Sequence, residues 1–407
     1  MHLLQQAAVV VALTDRPRII QRAGYASLCC SCGHSSRGIT KVLTEFFENS
    51  VVYCDKTVAA LECAVRSALQ ASQQLSSMWL ERHRFQTRVQ VDAREGLKNR
   101  NGQRRRSNKV HKWAIMTKGL GAYWYSPFRE PRAALSQLRR RPCAWLIMTA
   151  EGGRPLTNFG DELSALALTE LCGRPVKWAS LRRAEIFAIG SILERYAKAS
   201  ATGLILGSGL RGEKSAPSNI DRRNVLAVRG PLTRRALSLP ENIPLGDPGL
   251  VVRSAYPTEK RIRKGTLVIP HYTVYASVSG RWILRRLRAE GMTVLPPSVA
   301  PKRVLACIAG ARHVATSSLH GLVVSDGLGT PATLIEFGIS NEPHFKYRDY
   351  LLSLGVDDGM VVAVDQFMED ATRKTLEDHA NHRKSRIAGR VDDIVSDLYK
   401  ASAPLRN

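Results

Sequence analysis

Three short stretches place reactive side chains where an apolar run gives way to a helical one. In "HVATSSLHGL" the run Val314–Thr316 reads as a strand, followed by Ser317 and Ser318, which can cap a helix. Leu319, His320 and Gly321 then open that helix. In the first helical turn the dipole disfavours an imidazolium unless an anion is bound, so His320 suits a phosphate contact or a proton donor. In "NFGDELSALALTEL" either Asn158 or Asp161 can cap a helix, and Gly160 with the freed amides forms an anion-binding nest. In "VLAVRGPLT" a strand ends at Val228, Pro231 suits a first helical turn, and Arg229 stands between them. An arginine at the carboxyl end of a parallel strand points into the crevice where such sheets bind ligands, and its fork suits a carboxylate or phosphate.

Metal chemistry has little support. Cys29, Cys30 and Cys32 cluster near His34, but no second pair stands at zinc-ligand spacing, so no metal site is expected and the cysteines read as reduced thiols.

The elements that must hold these residues alternate from residue 143 onward. Strands are expected at Ala144–Thr149, Ile186–Ile189, Gly203–Leu206, Val225–Val228, Thr266–Ile269, Met292–Leu295, Val314–Thr316 and Ala332–Ile335. Helices are expected at Glu162–Cys172, Pro231–Leu237, Val278–Glu290 and Arg303–Ala311. Short apolar strands alternating with amphipathic helices imply parallel sheets covered on both faces. The fold class is therefore α/β. Two such units fit, 143–256 and 257–365, with a break at Ser254–Lys264, and residues 366–407 read as one or two amphipathic helices. No internal sequence repeat is visible.

The chain of 407 residues is strongly basic, with 60 Lys and Arg against 35 Asp and Glu for a net +25. Residues 1–150 hold 24 basic and 9 acidic residues, so the excess is concentrated early. Residues 1–95 form a region of undefined fold with a helical pattern over Val58–Leu80, and 96–142 read as a basic linker containing Arg104, Arg105 and Arg106. Such charge favours polyanionic neighbours: nucleic acid, an anionic membrane face or phosphorylated substrates. A nucleic-acid role is disfavoured, because the basic run lacks interleaved aromatics. No apolar run reaches the ~20 residues that span a bilayer. Ala7–Leu13 is followed at once by Asp15 and Arg16, so it reads as a buried strand rather than a leader. A cytoplasmic location follows, with the early charge suited to the anionic inner face of the membrane.

Taken in order, "NFGDEL" (158–163), "GSGLRG" (207–212), "VRGPLT" (228–233), "LGDPGL" (245–250), "IPHY" (269–272) and "SSLHGLVVSDGLGTPA" (317–332) resemble the polysaccharide pyruvyl transferase family over about residues 143–365. The resemblance implies a GT-B-like pair of Rossmann-like domains with the site in the cleft between them. It implies transfer of pyruvate from phosphoenolpyruvate, as donor substrate and without a further cofactor, onto a sugar of a surface or exopolysaccharide unit, usually as a ketal. The acceptor would be a sugar or a lipid-linked oligosaccharide. Many members carry a basic residue where this chain has Ser318, so an anion contact must come from elsewhere, for example Arg211, Arg281 or Lys346.

On this reading His320 is general acid or phosphate partner, Arg229 the anion clamp, and Asp161 the base or acceptor-hydroxyl contact. Asn158, Gly160, Arg211, Ser317, Ser318 and Gly321 line the substrates. The rival of the same fold is a GT-B glycosyltransferase that uses a nucleotide sugar.

Overall fold

In the computed structural model the described residues are 119–213, 216–255, 263–339, 343–357 and 361–406. The expectations for Ala7–Leu13, Cys29–Cys32, Val58–Leu80 and Arg104–Arg106 lie outside them. The chain divides into two compact units, Met1–Lys112 with Leu135–Pro142, and Trp113–Ala134 with Cys143–Asn407. All ten strands among the described residues belong to the second unit.

Five strands form the first sheet: β1 (Leu120–Tyr123), β2 (Val176–Trp178), β3 (Ile186–Phe187), β4 (Leu204–Ser208) and β5 (Val225–Val228). Five form the second: β6 (Lys264–Ile269), β7 (Thr293–Val294), β8 (Ala311–Thr316), β9 (Ala332–Glu336) and β10 (Val361–Ala363). Every pairing is parallel. The orders are β2-β1-β3-β4-β5 and β7-β6-β8-β9-β10, so each sheet runs second, first, third, fourth, fifth. The same doubly wound topology is thus built twice from sequences that share no visible repeat. In such sheets ligands bind beyond the carboxyl ends of the strands, where the winding reverses.

Among the described residues thirteen α-helices accompany the strands. In chain order they are α1 (Pro131–Arg140), α2 (Pro142–Ala150), α3 (Phe159–Cys172), α4 (Leu193–Lys198), α5 (Pro231–Ala236), α6 (Val252–Ala255), α7 (Tyr272–Ala276) and α8 (Val278–Ala289). There follow α9 (Pro301–Gly310), α10 (Leu319–Gly327), α11 (Phe345–Ser353), α12 (Val364–Met368) and α13 (Asp370–Ala401). None is long and apolar enough to cross a membrane.

Two expectations are corrected. Ala144–Thr149 is not a strand but the body of α2, because a six-residue apolar run has no period of its own and Pro142 at the first turn favours a helix. The stretch 96–142 is not linker to its end, since β1 is an inner strand of the first sheet and α1 follows it.

Apolar residues of both sheets, Leu206 and Ala227 from the first and Leu267 and Val314 from the second, belong to one hydrophobic core. α13 helps to join them. Its buried Ile387, Val391, Ile394 and Leu398 recur at helical spacing, and the helix touches β4, β5 and β9. Gly246, at φ 154°, lets Ile394 approach the chain where a side chain would collide.

Candidate functional site

The start of α3 is fixed from two directions. Asn158, in extended conformation, accepts a hydrogen bond on Oδ1 from the Gly160 N–H at 3.1 Å, which resolves the cap in favour of Asn158 over Asp161. The Phe159 N–H donates to the Pro297 carbonyl at 2.8 Å, tying this helix start to the loop after β7. Gly160 then lies flat against the His320 imidazole, with no room for a Cβ between them.

His320 occupies the first turn of α10, directly beyond the carboxyl end of β8, and is buried. Its Nε2 has no hydrogen-bond partner and stands 3.8 Å from Asp247 Oδ2, which has none either. Asp247 uses its other oxygen to cap the turn at Pro248–Val251, accepting from the Gly249 N–H at 2.8 Å. Two orphaned polar atoms facing each other just beyond bonding distance form a histidine–aspartate dyad that a small ring movement would close. Nδ1, on the other side of the ring, faces the start of α3.

The electrostatics of the cluster separate the roles. Burial, with Lys346 and Arg229 acting in the same direction, pushes His320 down to about 3, so the resting ring is neutral. Burial and the neighbouring Glu162 carboxylate push Asp161 up to about 7, against the opposing pull of Lys346 and Arg195. Burial raises Asp247 to about 6, moderated by the Gly249 amide and Arg229. Lys346, buried on α11, acts on both His320 and Asp161. A cation placed there favours a bound anion, and a bound anion would return a proton to His320.

Arg229 differs from expectation. It is 0% exposed, and its guanidinium is spent inside the protein. Nε donates to Asp349 Oδ2 at 3.1 Å, Nη2 pairs with the same oxygen at 3.0 Å and donates to the Leu210 carbonyl at 2.7 Å, and Nη1 donates to Ser191 Oγ at 2.8 Å. Asp349 is completed by the Thr233 N–H and hydroxyl at 2.9 and 2.7 Å. A Cβ on Gly209 would overlap the guanidinium, and one on Gly230 would overlap Asp349. Gly209 of "GSGLRG" and Gly230 of "VRGPLT" therefore make room for a buried ion pair that ties β5 to α11. Arg229 reaches the dyad through its field and not as an open clamp.

The remaining expected residues divide. Gly321 packs against Thr316, whose hydroxyl accepts the Ser318 N–H at 3.0 Å, and Ser318 is the cap residue of α10. Ser317 Oγ accepts the His271 N–H at 2.8 Å, and its carbonyl accepts the Tyr347 hydroxyl at 2.8 Å. Arg211 is exposed on the loop after β4, its N–H bonded to Glu194 at 2.9 Å. It does not join the His320 cluster.

A small open pocket of about 40 Å³ lies at the carboxyl ends of β6, β8 and β9, lined by His271, Ser317, Glu336, His344 and Tyr347 among others. This is the winding-reversal position of the second sheet. Ser317 is the one expected site residue on its wall, and His271 and His344 were not singled out from sequence. Asp247 lies within the stretch "LGDPGL" but carries no role in the sequence analysis, although Asp before Pro is a capping signal. Lys346 was named only as a substitute anion contact. Among the described residues no group of three or more His, Cys, Asp or Glu is arranged to hold a metal. No protein-family model matches the chain, and no curated protein matches it.

Proposed function

We propose that the chain is a pyruvyl transferase, moving pyruvate from phosphoenolpyruvate onto a pair of sugar hydroxyls in a surface or exopolysaccharide unit. The observation that carries this reading is the His320–Asp247 dyad at a helix start, with Lys346 acting on both His320 and Asp161. A substrate bearing phosphate and carboxylate supplies an anion suited to Lys346 and to the start of α10. The family resemblance of the ordered motifs points the same way.

In this mechanism the donor phosphate settles near Lys346 and the α10 start, and His320 takes up a proton. It delivers that proton to the methylene carbon of phosphoenolpyruvate, leaving an oxocarbenium-like centre on the neighbouring carbon. One sugar hydroxyl attacks that centre and gives its proton to Asp161. The second hydroxyl forms the other C–O bond as the C–O bond to phosphate breaks. Of the two hydroxyl protons, one balances the new methyl group and the other leaves on phosphate. Asp247 holds the ring and stabilises its charged form. Arg229 is a positioning residue, since Asp349 occupies its fork.

A nucleotide-sugar glycosyltransferase is the second reading, favoured by the winding reversal between β6 and β8, a position where doubly wound sheets take nucleotides. Incubation with phosphoenolpyruvate and a panel of lipid-linked oligosaccharides, in parallel with nucleotide sugars, separates the two. Phosphate release that depends on acceptor supports pyruvyl transfer. Nucleotide release with no phosphate from phosphoenolpyruvate overturns it. Work on lipid-linked acceptors would set the enzyme at the cytoplasmic face of the membrane.

A further inference from the structure

We propose that the outer face of α8 is a docking surface for an anionic membrane. The helix carries Arg281, Arg285, Arg286 and Arg288 and no acidic residue. Its inner side is committed to the fold. Leu284 and Leu287 are buried, Gly280 closes on Val274, and Arg288 pairs with Glu151 at 2.7 Å. Glu151 also accepts the Tyr275 hydroxyl at 2.8 Å, so the helix is clamped from beneath.

The outer side has the opposite character. Val278 is 66% exposed and Trp282 55% exposed, four residues apart and so on one face. Arg285 and Arg286 are exposed three and four residues further on, and the Arg286 guanidinium lies 4.9 Å from the centre of the Trp282 ring. The described residues expose four large apolar side chains, and two of them share this face. Glu290 at the helix end is paired with Arg373 at 3.7 Å, so that carboxylate does not offset the arginines.

Charge decides that the partner is anionic, and the apolar pair decides that it is a bilayer. Arginine forks suit lipid phosphates, and an exposed Trp beside Val is rewarded at the headgroup boundary. A nucleic-acid backbone would use the arginines but give Val278 nothing to touch. The helix also lies near the open pocket, because Val274, which lines that pocket, packs against Gly280. The inference does not depend on which group the enzyme transfers.

Sedimentation of the full chain with vesicles tests it, using phosphatidylcholine alone and with about 30% phosphatidylglycerol. The full chain should bind the anionic vesicles and should release as salt rises, because headgroup charge is screened. Arg285→Glu/Arg286→Glu should lower binding at least about tenfold, and Val278→Asp/Trp282→Ala at least about threefold, with melting temperatures unchanged. Binding kept within about twofold in both variants would overturn the proposal, placing any membrane affinity elsewhere in the chain. Equal binding to neutral vesicles would overturn it too. So would variants that lose affinity for a single-stranded RNA while keeping it for anionic vesicles, which would assign the face to nucleic acid.

Discussion

Gly160 and the imidazole of His320 occupy a space that one added methyl group would fill. The contact brings the start of α3 against the start of α10, on the Nδ1 side of the ring, while Nε2 stands 3.8 Å from Asp247. Gly160→Ala must therefore move the ring or the helix. Phosphate release should fall by about tenfold or more, since misplacing a catalytic group by an ångström costs up to ~10²-fold. Gly389→Ala is the control, because nothing lies within 4 Å of a Cβ there. It should keep full activity and gain about 0.5–1 kcal/mol from helix propensity. Equal activity in both variants would show that the Gly160 contact is packing alone.

His320 leaves a mark on stability that does not require a substrate. Its folded value of about 3 lies below the ordinary histidine value of 6.5, so between the two the unfolded chain binds the extra proton. The stability it contributes is complete above pH 6.5 and is lost as pH falls towards 3. His320→Gln removes that loss. Measured from pH 7 down to pH 4, the stability of the variant relative to the parent should rise as pH falls. Turnover should drop by ~10²–10⁴-fold at the same time. A pH-independent stability difference would mean that the ring is not held neutral by its surroundings.

The elements around the site were legible where chemistry and period coincide. Val225–Val228 is a strand to the residue, and α3, α5, α8 and α9 fall within three residues of expectation. β1 was missed because four residues following a long basic stretch give no period to count, and β2 and β10 are three residues each. His320 and Asp161 were legible because each sits at a helix start with its own local signal. The dyad was not, because Asp247 looks locally like a capping residue and nothing near it in sequence says that its second oxygen meets His320. Arg229 misled for the same reason. A strand-end arginine reads alike whether its fork meets a ligand or an aspartate 120 residues away.

The Arg229–Asp349 pair separates positioning from binding. With both side chains at 0% exposure, Arg229→Ala strands a buried carboxylate, which costs about 3–5 kcal/mol. An open clamp would instead raise the KM for phosphoenolpyruvate with little change in melting temperature. Replacing both partners, Arg229→Met with Asp349→Leu, should recover much of the lost stability, because apolar residues of similar volume remove the desolvation penalty. Thermal melts of the single and double variants decide between the two.

β1 sets where the amino-terminal region can be cut. It pairs with both β2 and β3, so deleting residues 1–140 removes an inner strand and should abolish a cooperative melt. Deleting residues 1–112 keeps β1, and the remaining chain should melt cooperatively. Equal behaviour of the two truncations would mean that the first sheet does not need its inner strand.

Asp161 should set the pH dependence of the reaction. A carboxylate raised to about 7 is protonated in most molecules at pH 6 and ionised in most at pH 8. If it accepts the hydroxyl proton, kcat/KM must climb with pH through that value, since this parameter reports groups on the free enzyme. Asp161→Asn should lower kcat/KM by ~10²–10⁴-fold and remove the climb. Lys346 supplies an independent check through its opposing pull on Asp161. Lys346→Met should move the climb to higher pH, because the carboxylate loses a cation that favours its ionised form. Lys346 also depresses His320, so the same variant should soften the acid-side loss of stability. A climb that survives in Asp161→Asn would reassign the base to another group or to the substrate's own phosphate. A climb unmoved by Lys346→Met would separate Lys346 from Asp161 and leave the anion site without its cation.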